Sequence, residues 1–384
     1  MTPVSRVSPV HDRIAIVGGG IIGLAVGWRL AQAGRSVDLF EKERVGQGAT
    51  RAAGGMLAAS AEAEPGEHAL TALNRQSQAL WPDFARELVA TSGIDIGMRQ
   101  DGILNVALTG DDLRRLRAEF GHQQRHGLPT RWLSAAELRE REPCLNPGAS
   151  GAIHSPGDHQ VENRLAAEAL RVAFTQAGGR IHEGAAVERV LVENGAVRGL
   201  HVAGTEHEAG TVLLAAGAWS GGIEGLPEAA RPPVRPVKGQ MLSVRMATEE
   251  PLLRHVVWAP GVYLIPRLDG RLLVGATVEE RGFDTRITAG GLLSLLHSAW
   301  RALPGIEELP VEETWVGFRP GSRDDAPILG PGPVRGLVYA TGHHRNGILL
   351  TPITADLVSR FILTGVVEPA LRSFGVGRFV RRAA

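Results

Sequence analysis

Cysteine is almost absent from this sequence, and its scarcity excludes several classes of protein. Cys144 is the single cysteine among 384 residues, which rules out an internal disulfide and a cysteine-ligated zinc or iron–sulfur centre. It lies in a loop-like stretch, 142–147, with no nucleophile motif around it, so we interpret it as structural. One unpaired cysteine also fits the reducing cytoplasm.

An excess of charge of one sign is missing as well. Lys and Arg together number 41, as do Asp and Glu, so the sequence predicts no surface for nucleic acid or another polyanion. The first 13 residues lack the apolar core of a signal peptide, and we expect 1–12 to be a flexible tail. The most apolar window contains a glycine turn and Arg29, which argues against a membrane span. We therefore expect a cytoplasmic protein with no membrane partner.

A dinucleotide-binding motif opens the patterned part of the chain. Residues 14–17 are a short apolar strand, and Gly18, Gly20 and Gly23 follow in the G-x-G-x-x-G spacing before a helix. Such glycines allow a tight turn and a close approach of the backbone to a pyrophosphate, which the positive end of the helix attracts. Glu41 ends the next strand about 20 residues later, the expected place for an acceptor to an adenosine ribose. An acidic residue there favours NAD or FAD over NADP.

The stretch after the second strand distinguishes the two remaining cofactors. Residues 43–58 are almost devoid of bulky side chains, so a large group is expected to pass close to this backbone. A nicotinamide dehydrogenase is expected to continue into another βαβ unit here, whereas a flavin protein needs such a small-residue segment. A flexible linker is the alternative, although Met56 and Leu57 argue against full exposure to solvent. The sequence therefore favours FAD.

Beyond residue 58, apolar periodicity predicts a mixture of helices and strands. Helical spacing covers 70–89, 111–125, 163–177, 289–303 and 348–363. Strand patterns cover 97–108, 187–192, 196–202, 211–218, 240–245, 256–258, 262–266, 271–276, 312–318 and 336–342. A capping-box pattern at 134–137 begins one more helix.

The order of these segments predicts an α/β fold, α+β overall, with two domains, as the chain length also indicates. A Rossmann-type FAD-binding domain is expected from 13–80, 150–235 and 321–370. A second, mainly antiparallel β-sheet domain, which holds the substrate, is expected from 81–149 and 236–320. Residues 371–384 are expected to be a C-terminal tail.

Two motifs resemble the FAD-dependent amine and amino-acid oxidases of the D-amino-acid oxidase type. The more specific is Ala-Thr-Gly-His-His-Arg-Asn-Gly-Ile-Leu-Leu-Thr-Pro at 340–352, and the other is Gly-Gly-Met-Leu at 54–57 after Gly-Ala-Thr at 48–50. The resemblance extends from residue 14 to about 363. It implies oxidation of a small amino acid, glycine above all, with molecular oxygen as the acceptor. It also implies a homo-oligomer, often a tetramer.

Matching of the motifs assigns the cofactor-binding residues. The pyrophosphate is expected on Gly18, Gly20, Ile21, Ile22 and Gly23, and the adenosine end on Glu41, Lys42 and the backbone of Val187. The flavin is expected against Ala49, Thr50, Gly54, Gly55, Met56, Gly217, Gly342, His343, His344, Arg345, Asn346, Gly347, Ile348 and Leu349. No cysteine lies near the C-terminus, so the resemblance implies that FAD is bound non-covalently.

The substrate residues are assigned by the same resemblance. Arg319 matches a carboxylate-binding arginine, Tyr263 an active-site tyrosine, and Arg345 a second arginine near the substrate. From the residues alone, Arg319 is equally well an ion-pairing surface residue and Tyr263 a core residue. His344 and Val278 depart from the family pattern at positions expected to face the substrate, which leaves the preferred amino acid open.

Three other functions remain open on the sequence. A D-amino-acid, sarcosine or proline dehydrogenase of the same fold shares the flavin residues but uses an acceptor other than oxygen. A tRNA-modifying flavoprotein module uses a similar flavin domain, although the balanced charge argues against it. A flavoprotein without enzymatic activity gives no reason for the substrate arginine and tyrosine.

Overall fold

The computed structural model describes residues 13–379, so the expected tail at 1–12 lies outside the described residues, as do residues 380–384. The α-helices are α1 (Ile21–Gln32), α2 (Ala49–Ala52), α3 (His68–Ser92), α4 (Gly110–Arg125), α5 (Ala135–Arg141), α6 (Asn163–Gln176), α7 (Ala289–Ala302), α8 (Thr351–Thr364) and α9 (Pro369–Arg372). Short 3₁₀ helices cover Gly217–Gly222, Glu228–Ala230, Pro304–Glu308 and Val376–Phe379.

The strands belong to two large and two small sheets. The first half of the chain contributes β1 (Arg13–Val17), β2 (Ser36–Phe40), β3 (Met56–Leu57), β4 (Ile103–Ala107), β5 (Arg131–Ser134), β6 (Gly151–Ser155), β7 (His159–Gln160) and β8 (Arg180–His182). The remainder are β9 (Val187–Glu193), β10 (Ala196–Val202), β11 (Thr205–Glu208), β12 (Thr211–Leu214), β13 (Arg235–Arg245), β14 (Val256–Ala259), β15 (Val262–Pro266), β16 (Arg271–Gly275), β17 (Val311–Gly321), β18 (Ile328–Pro331) and β19 (Leu337–Thr341).

The first large sheet has the strand order β18-β19-β12-β1-β2-β8 and is parallel except for β18. Its two faces follow from the alternation along β1. Ile14 and Ile16 face the helical side, where α1, α3, α6 and α8 pack. Ala15 and Val17 face the opposite side, which is covered by the small antiparallel sheet β9–β11. Burial on both faces is typical of a parallel sheet and explains the continuous apolar run at its start.

The second large sheet has the order β17-β13-β16-β15-β14-β4-β6-β5 and is antiparallel apart from the β14–β4 pair. One face is covered by α7, through Leu295 and Ala299. The other face packs against the segment 52–61, where Ala58 and Ala61 contact its apolar side chains. We call this second surface the inner face of the sheet. The predicted fold class, a Rossmann-type domain with a mainly antiparallel second sheet, is confirmed.

Several predicted boundaries differ from the structure. The division expected at residue 80 falls inside α3, whose Trp81 and Leu88 pack into the same core as Trp28 of α1. Strand β6, from the segment assigned to the nucleotide domain, pairs instead with β4 and β5 in the second sheet. The tail expected from residue 371 includes buried Leu371 and Phe374, and Leu329 donates a backbone hydrogen bond to Phe374 (2.9 Å). The strand expected from 240 begins earlier, at 235, because the chain through Pro236 already pairs with β17.

Among residues 13–379, the longest helix is α3, and none of the helices has the length and apolar character needed to cross a membrane.

Candidate active site

The glycine turn after β1 allows two segments of backbone to touch. Gly18 has φ = +106°, and a Cβ on it would stand 2.5 Å from the carbonyl oxygen of Ala215. A Cβ on Gly23 would collide with the carbonyl oxygen of Gly18. Only glycine fits at both positions, so the carboxyl ends of β1 and β12 and the start of α1 meet closely.

The first turn of α1 lies next to the small-residue segment. Gly20 is the N-cap, and Ile21 and Ile22 are the first helical residues. The hydroxyl of Thr50 accepts a hydrogen bond from the Ile21 N–H (3.0 Å) and is itself buried. Thr50 therefore caps α1 from a distant part of the chain, beside the positive end of the helix dipole where an anionic pyrophosphate is favoured.

The Glu41 carboxylate lies against the glycine turn. Its Oε2 accepts from the Gly19 N–H (2.7 Å), and its Oε1 accepts from the Glu43 N–H (3.1 Å). The Glu41 carbonyl accepts from the Ala185 N–H (2.8 Å), two residues before Val187 begins β9. Glu41 and the backbone near Val187 are thus adjacent, as an adenosine-binding end requires.

Lys42 and Gly217 both lie at the edge of the first large sheet where its parallel strands end. The Lys42 ammonium is 3.7 Å from the ring centroid of Trp219, a cation–π contact. The carbonyl of Gly217 accepts from the Thr341 hydroxyl (3.2 Å), and Gly342 follows with φ = +71°. The carboxyl ends of β12 and β19 therefore meet beside that of β1, where open parallel sheets bind ligands.

The segment from Ala49 to Leu57 is held by two buried side chains that the motifs did not identify. Asn163 donates to the carbonyl of Thr50 (2.7 Å). Arg267 donates to the carbonyls of Gly54 (2.8 Å) and Val161 (2.8 Å), and also to the Asn163 side-chain oxygen (3.1 Å). Burial lowers the pKa of Arg267 to about 10, so the guanidinium stays charged at neutral pH.

The local geometry of this segment also requires small residues. Gly55 has φ = +72°, and a Cβ on it would collide with the Val161 carbonyl oxygen. Met56 pairs with Gln160, and its sulfur accepts from the Trp258 indole N–H (3.1 Å). The segment is therefore fixed by specific contacts, and Thr50, Gly54, Gly55 and Leu57 are buried. The alternative of a flexible linker is wrong.

The motif at 342–349 forms a tight loop before α8, which begins at Thr351 and not at the expected Ile348. Buried His343 is within 3.1 Å of the Thr354 hydroxyl, and burial lowers its pKa to about 3, so it is neutral at physiological pH. The Asn346 N–H donates to the His343 carbonyl (2.9 Å). The Leu349 carbonyl accepts from the Trp81 indole of α3 (2.9 Å). Gly347 and Ile348 lie inside this anchored turn.

The substrate candidates Arg319 and Tyr263 lie on the inner face of the second sheet. Tyr263, Gly275, Met241 and Trp315 stand opposite one another on four neighbouring strands, so they form one row. Arg319 continues the face of Trp315 along β17, because side chains two and four residues apart share a face. Trp315 donates to the carbonyl of Ala52 (3.1 Å). The row therefore faces the small-residue segment of the cofactor site.

Both candidates lie over glycines of the neighbouring strands. A Cβ on Gly239 would stand 2.6 Å from Nη1 of Arg319, and a Cβ on Gly275 would collide with the Tyr263 ring. Arg319 donates to the carbonyl of Thr277 (3.1 Å), and the Tyr263 hydroxyl donates to the Met241 sulfur (3.6 Å). Burial raises the pKa of Tyr263, which keeps the hydroxyl protonated and able to donate.

The third candidate, Arg345, is surrounded by carboxylates. Its Nε lies 3.0 Å from Glu62, and its Nη2 lies 2.8 Å from Glu64 and 3.5 Å from Glu67. These ion pairs occupy a guanidinium that was expected near the substrate. Glu62 carried no motif and was not predicted; only its place five residues after Leu57 in the small-residue segment connects it with the site.

The two positions that depart from the family pattern have different environments. His344 has φ = +45°, and its N–H donates to the carbonyl of Pro320, next to Arg319 (3.0 Å). Burial lowers the pKa of His344 to about 4, although Asp325 opposes the shift. Val278 is 72% exposed, so the structure does not place it in an enclosed substrate site.

These residues fit an extended dinucleotide with a planar ring system. The glycine turn leaves a space that any Cβ would fill, and the positive end of α1 points at this turn. The Glu41 carboxylate lies on the other side of the turn. Small residues at 49–55 adjoin the inner face that carries Arg319 and Tyr263. Fold and site together define a dinucleotide-binding protein whose second sheet faces the nucleotide site.

Comparison with known proteins identifies the family. The family described as FAD dependent oxidoreductase matches residues 13–361, so the chain belongs to it. A glycine oxidase of Geobacillus kaustophilus is 40% identical over 354 residues, which cover 90% of this chain and 93% of that protein. The bifunctional protein ThiO/ThiG of Trichormus variabilis is 35% identical over 97% of this chain, which spans 56% of that longer protein.

A solved structure agrees with these relatives. The crystal structure of glycine oxidase from Geobacillus kaustophilus superimposes with a TM-score of 0.89 and 37% sequence identity, covering 96% of this chain and 100% of that one. The predicted FAD dependence and the predicted resemblance to amino-acid oxidases are therefore confirmed. The protein is an FAD-dependent oxidoreductase related to glycine oxidases.

Proposed function

We propose that this protein is a glycine oxidase. It removes a hydride from Cα and a proton from the amine of glycine, and the resulting imine is hydrolysed to glyoxylate and ammonia. Molecular oxygen takes the two electrons and two protons and leaves as hydrogen peroxide. Two kinds of observation support the proposal: the named relatives, and a site with one arginine and one tyrosine facing the cofactor segment.

The observation that carries the proposal is the contact between the small-residue segment, Ala49 to Leu57, and the inner face of the second sheet. A Cβ on Gly54 would stand 2.5 Å from Ile265 and 3.5 Å from the Tyr263 ring. Arg319 lies farther along the same face, on β17. A substrate carboxylate bound by Arg319 and Tyr263 therefore lies next to residues that line the flavin.

The side chains around this face favour a small substrate. Trp258 is stacked on Tyr263, with ring centroids 6.1 Å apart, and Met241 and Trp315 occupy the same row. Gly239 and Gly275 leave room on this face for Arg319 and Tyr263, and Gly317 leaves room for Ala52. This packing supports glycine over amino acids with bulky side chains.

The chain's own residues bind and orient the substrate. Arg319 has a planar fork of donors that matches a carboxylate in two hydrogen bonds, and Tyr263 adds a neutral donor. Arg319 and Tyr263 are half-buried, so their hydrogen bonds to a carboxylate are stronger than they would be in bulk water. FAD, when bound, supplies the hydride acceptor.

We place the activity in the thiazole branch of thiamine biosynthesis, because the chain is similar to a protein named ThiO/ThiG.

We also propose a cytoplasmic homo-oligomer. Leu293, Leu296 and Trp300 form an exposed apolar stripe on α7, at helical spacing, which supports self-association. Sedimentation of the wild-type protein and of the Leu293→Glu variant tests this self-association. We expect an oligomer for wild type and weaker association for the variant. A monomeric wild type contradicts the proposal.

The experiment that tests the function compares Arg319→Ala with Arg323→Ala. Arg323 is an exposed arginine four positions later and serves as the matched control. With FAD loaded on both, we expect Arg319→Ala to lose about 10²–10⁴-fold in kcat/KM for glycine, by loss of a charged hydrogen-bond pair and of orientation. An Arg319→Ala enzyme with full FAD and wild-type kcat/KM contradicts the proposal.

Peroxide formation separates an oxidase from a dehydrogenase of the same fold. We expect one hydrogen peroxide for each glycine consumed under air. Consumption of glycine only with an added quinone or dye, without peroxide, shows that the acceptor is not oxygen.

A further inference from the structure

A group of four charged residues beside the substrate face takes no part in the function proposed above. Glu62, Glu64 and Glu67 all contact the guanidinium of Arg345, within 3.5 Å. We call these four residues the Arg345 cluster. It extends from the protein interior to solvent, because the Glu62 side chain is 7% exposed and that of Glu64 is 57% exposed.

The inner end of the cluster is close to the substrate residues. Ala61, the neighbour of Glu62, packs in the same apolar cluster as Tyr263 on the inner face of the second sheet. His344, the neighbour of Arg345, donates its backbone N–H to the carbonyl of Pro320, next to Arg319 (3.0 Å). The cluster therefore adjoins the place where a substrate carboxylate binds.

Glu62 is held in this position by a second buried carboxylate. The N–H groups of Ser60 and Ala61 donate to Asp158 (3.0 and 2.7 Å), and the Glu62 N–H donates to the Ala58 carbonyl (3.2 Å). The turn that carries Glu62 is thus fixed by Asp158. Oε2 of Glu62, which faces Nε of Arg345, accepts no hydrogen bond of good geometry from a described residue.

The charges explain what the cluster does to a ligand. Arg345 alone would offer a second carboxylate-binding fork near Arg319, and a dicarboxylic amino acid would bind both arginines. Above pH 7, where Glu62 is ionised together with Glu64 and Glu67, three carboxylates face one guanidinium, so the cluster is occupied and acidic. A second negative group on the ligand then meets carboxylates that repel it.

We propose that Glu62, Glu64 and Glu67 set the charge selectivity of the site by occupying Arg345. The site thereby accepts amino acids with a single carboxylate and rejects those with a second one on the side chain or the nitrogen. This inference rests on the proposed function, which places the substrate carboxylate on Arg319.

The primary test measures binding and does not require turnover. Acetate and malonate, with one and two carboxylates, are titrated calorimetrically into the holoenzyme at about pH 8, where Glu62 is ionised, and in about 0.3 M salt, where long-range charge effects are screened. The ratio Kd(acetate)/Kd(malonate) is compared between wild type and the variant carrying Glu62→Gln, Glu64→Gln and Glu67→Gln. Glu87→Gln, which breaks the ion pair with Arg29, is the remote control.

We expect the triple substitution to raise this ratio at least about tenfold, because the second carboxylate gains a charged hydrogen bond with Arg345. Adding Arg345→Ala to the triple variant returns the ratio to the wild-type value, and Glu87→Gln leaves it unchanged. A ratio within about twofold of wild type in the triple variant overturns the proposal, as does a rise that persists with Arg345→Ala. If the triple variant does not fold, Glu64→Gln alone, at the exposed end, is expected to raise the ratio measurably.

Turnover provides a second measurement and separates the two proposals. In the triple variant, kcat/KM for D-aspartate relative to D-alanine is expected to rise in parallel with the binding ratio. If wild type oxidises no amino acid, the proposed function fails, yet the binding ratio still reports on the Arg345 cluster. If glycine is oxidised and neither ratio changes, only the present inference fails.

Discussion

The guanidinium of Arg319 lies against Gly239 on the adjacent strand β13, where a Cβ would stand 2.6 Å from Nη1 and 3.0 Å from Cζ. The two residues are diagonal neighbours, because Arg319 pairs with Val237 and Gly239 pairs with Gly317. Gly239 thus leaves the space through which the arginine reaches the substrate face. The position of Arg319 therefore depends on glycine at position 239, because a β-carbon there would displace the guanidinium.

Replacement of Gly239 by alanine is expected to displace Arg319 without unfolding the sheet, because the obstructing atoms are the end of a flexible side chain. We expect KM for glycine to rise about tenfold or more while FAD content stays at the wild-type level, since misplacement of one charged fork costs about 1.4 kcal/mol or more. Steady-state kinetics and the flavin absorbance measure both. Gly290→Ala, where a Cβ has nothing within 4 Å, is the control. A wild-type KM in Gly239→Ala contradicts the assignment of Arg319.

Substitutions of Thr50 test whether its hydroxyl connects the flavin segment to α1. Thr50→Val keeps the shape and removes the acceptor of the Ile21 N–H, whereas Thr50→Ser keeps the acceptor. We expect Thr50→Val to lower the free energy of unfolding by about 1 kcal/mol and to weaken FAD binding, as loss of a helix cap does. Thr50→Ser should retain both properties. Chemical denaturation and FAD titration of the apoprotein measure the difference; equal behaviour of the two variants would falsify the cap.

Arg267 is expected to be the most important single side chain for the order of the flavin segment. Its guanidinium donates to Gly54, Val161, Gln160 and Asn163 from a fully buried position. Arg267→Met leaves these acceptors unpaired, so we expect a loss of about 3–5 kcal/mol in unfolding free energy and release of FAD before global unfolding.

The matched control for Arg267 is Arg271→Met. Arg271 is 20% exposed and shares the partner Glu162, which keeps its contact with Arg267 when Arg271 is removed. Because a partly exposed pair contributes little, we expect a loss below about 1.5 kcal/mol. Similar losses in the two variants, measured by denaturant unfolding, contradict the special role of Arg267.

Glu62 is expected to make stability depend on pH. Burial raises its pKa to about 7; Arg345 and Arg319 oppose the shift, and Asp158 and Glu64 add to it. A carboxyl with a raised folded-state pKa contributes stability that is present below its ordinary pKa of 4.5 and is lost as the pH rises through about 7. Glu62→Gln does not titrate, so its stability relative to wild type should increase from pH 5 to pH 8 by about 1–3 kcal/mol.

Urea unfolding at several pH values measures this difference. Asp158, whose pKa burial raises to about 6, titrates in both proteins and largely cancels in the comparison. Glu64→Gln, at the exposed end of the Arg345 cluster, is the control and should show a difference that varies by less than about 0.5 kcal/mol over the same range. A difference for Glu62→Gln that does not change with pH contradicts the buried, proton-binding role of Glu62.

The sequence predicted those parts of the site that are local along the chain. Gly18, Gly23 and Glu41 belong to one βαβ unit, in which spacing alone determines the turn and the strand end. The capping boxes at Thr109 and Ser134 are equally local, and the latter was predicted. Family motifs then predicted Arg319 and Tyr263 as substrate residues, which no spacing rule relates to each other.

The remaining features depend on contacts between distant segments. Arg267 and Gly54 are 213 residues apart, and Arg345 and Glu62 are 283 apart. Nothing near Arg267 in the sequence shows that it is buried, and nothing near Glu62 shows that it pairs with Arg345. Strands β5, β6 and β18 were missed because each short run contains Ser, Gly or Pro, which are typical of turns.

The central claim is that this site oxidises glycine through its flavin, and an anaerobic spectrum tests it most directly. The purified holoenzyme is mixed with glycine in the absence of oxygen, and the visible flavin absorbance is recorded before and after admission of air. The account predicts bleaching of the flavin band by glycine, followed by its recovery with formation of hydrogen peroxide. A flavin band that glycine leaves unchanged, while sarcosine, proline or a larger D-amino acid bleaches it, contradicts the account.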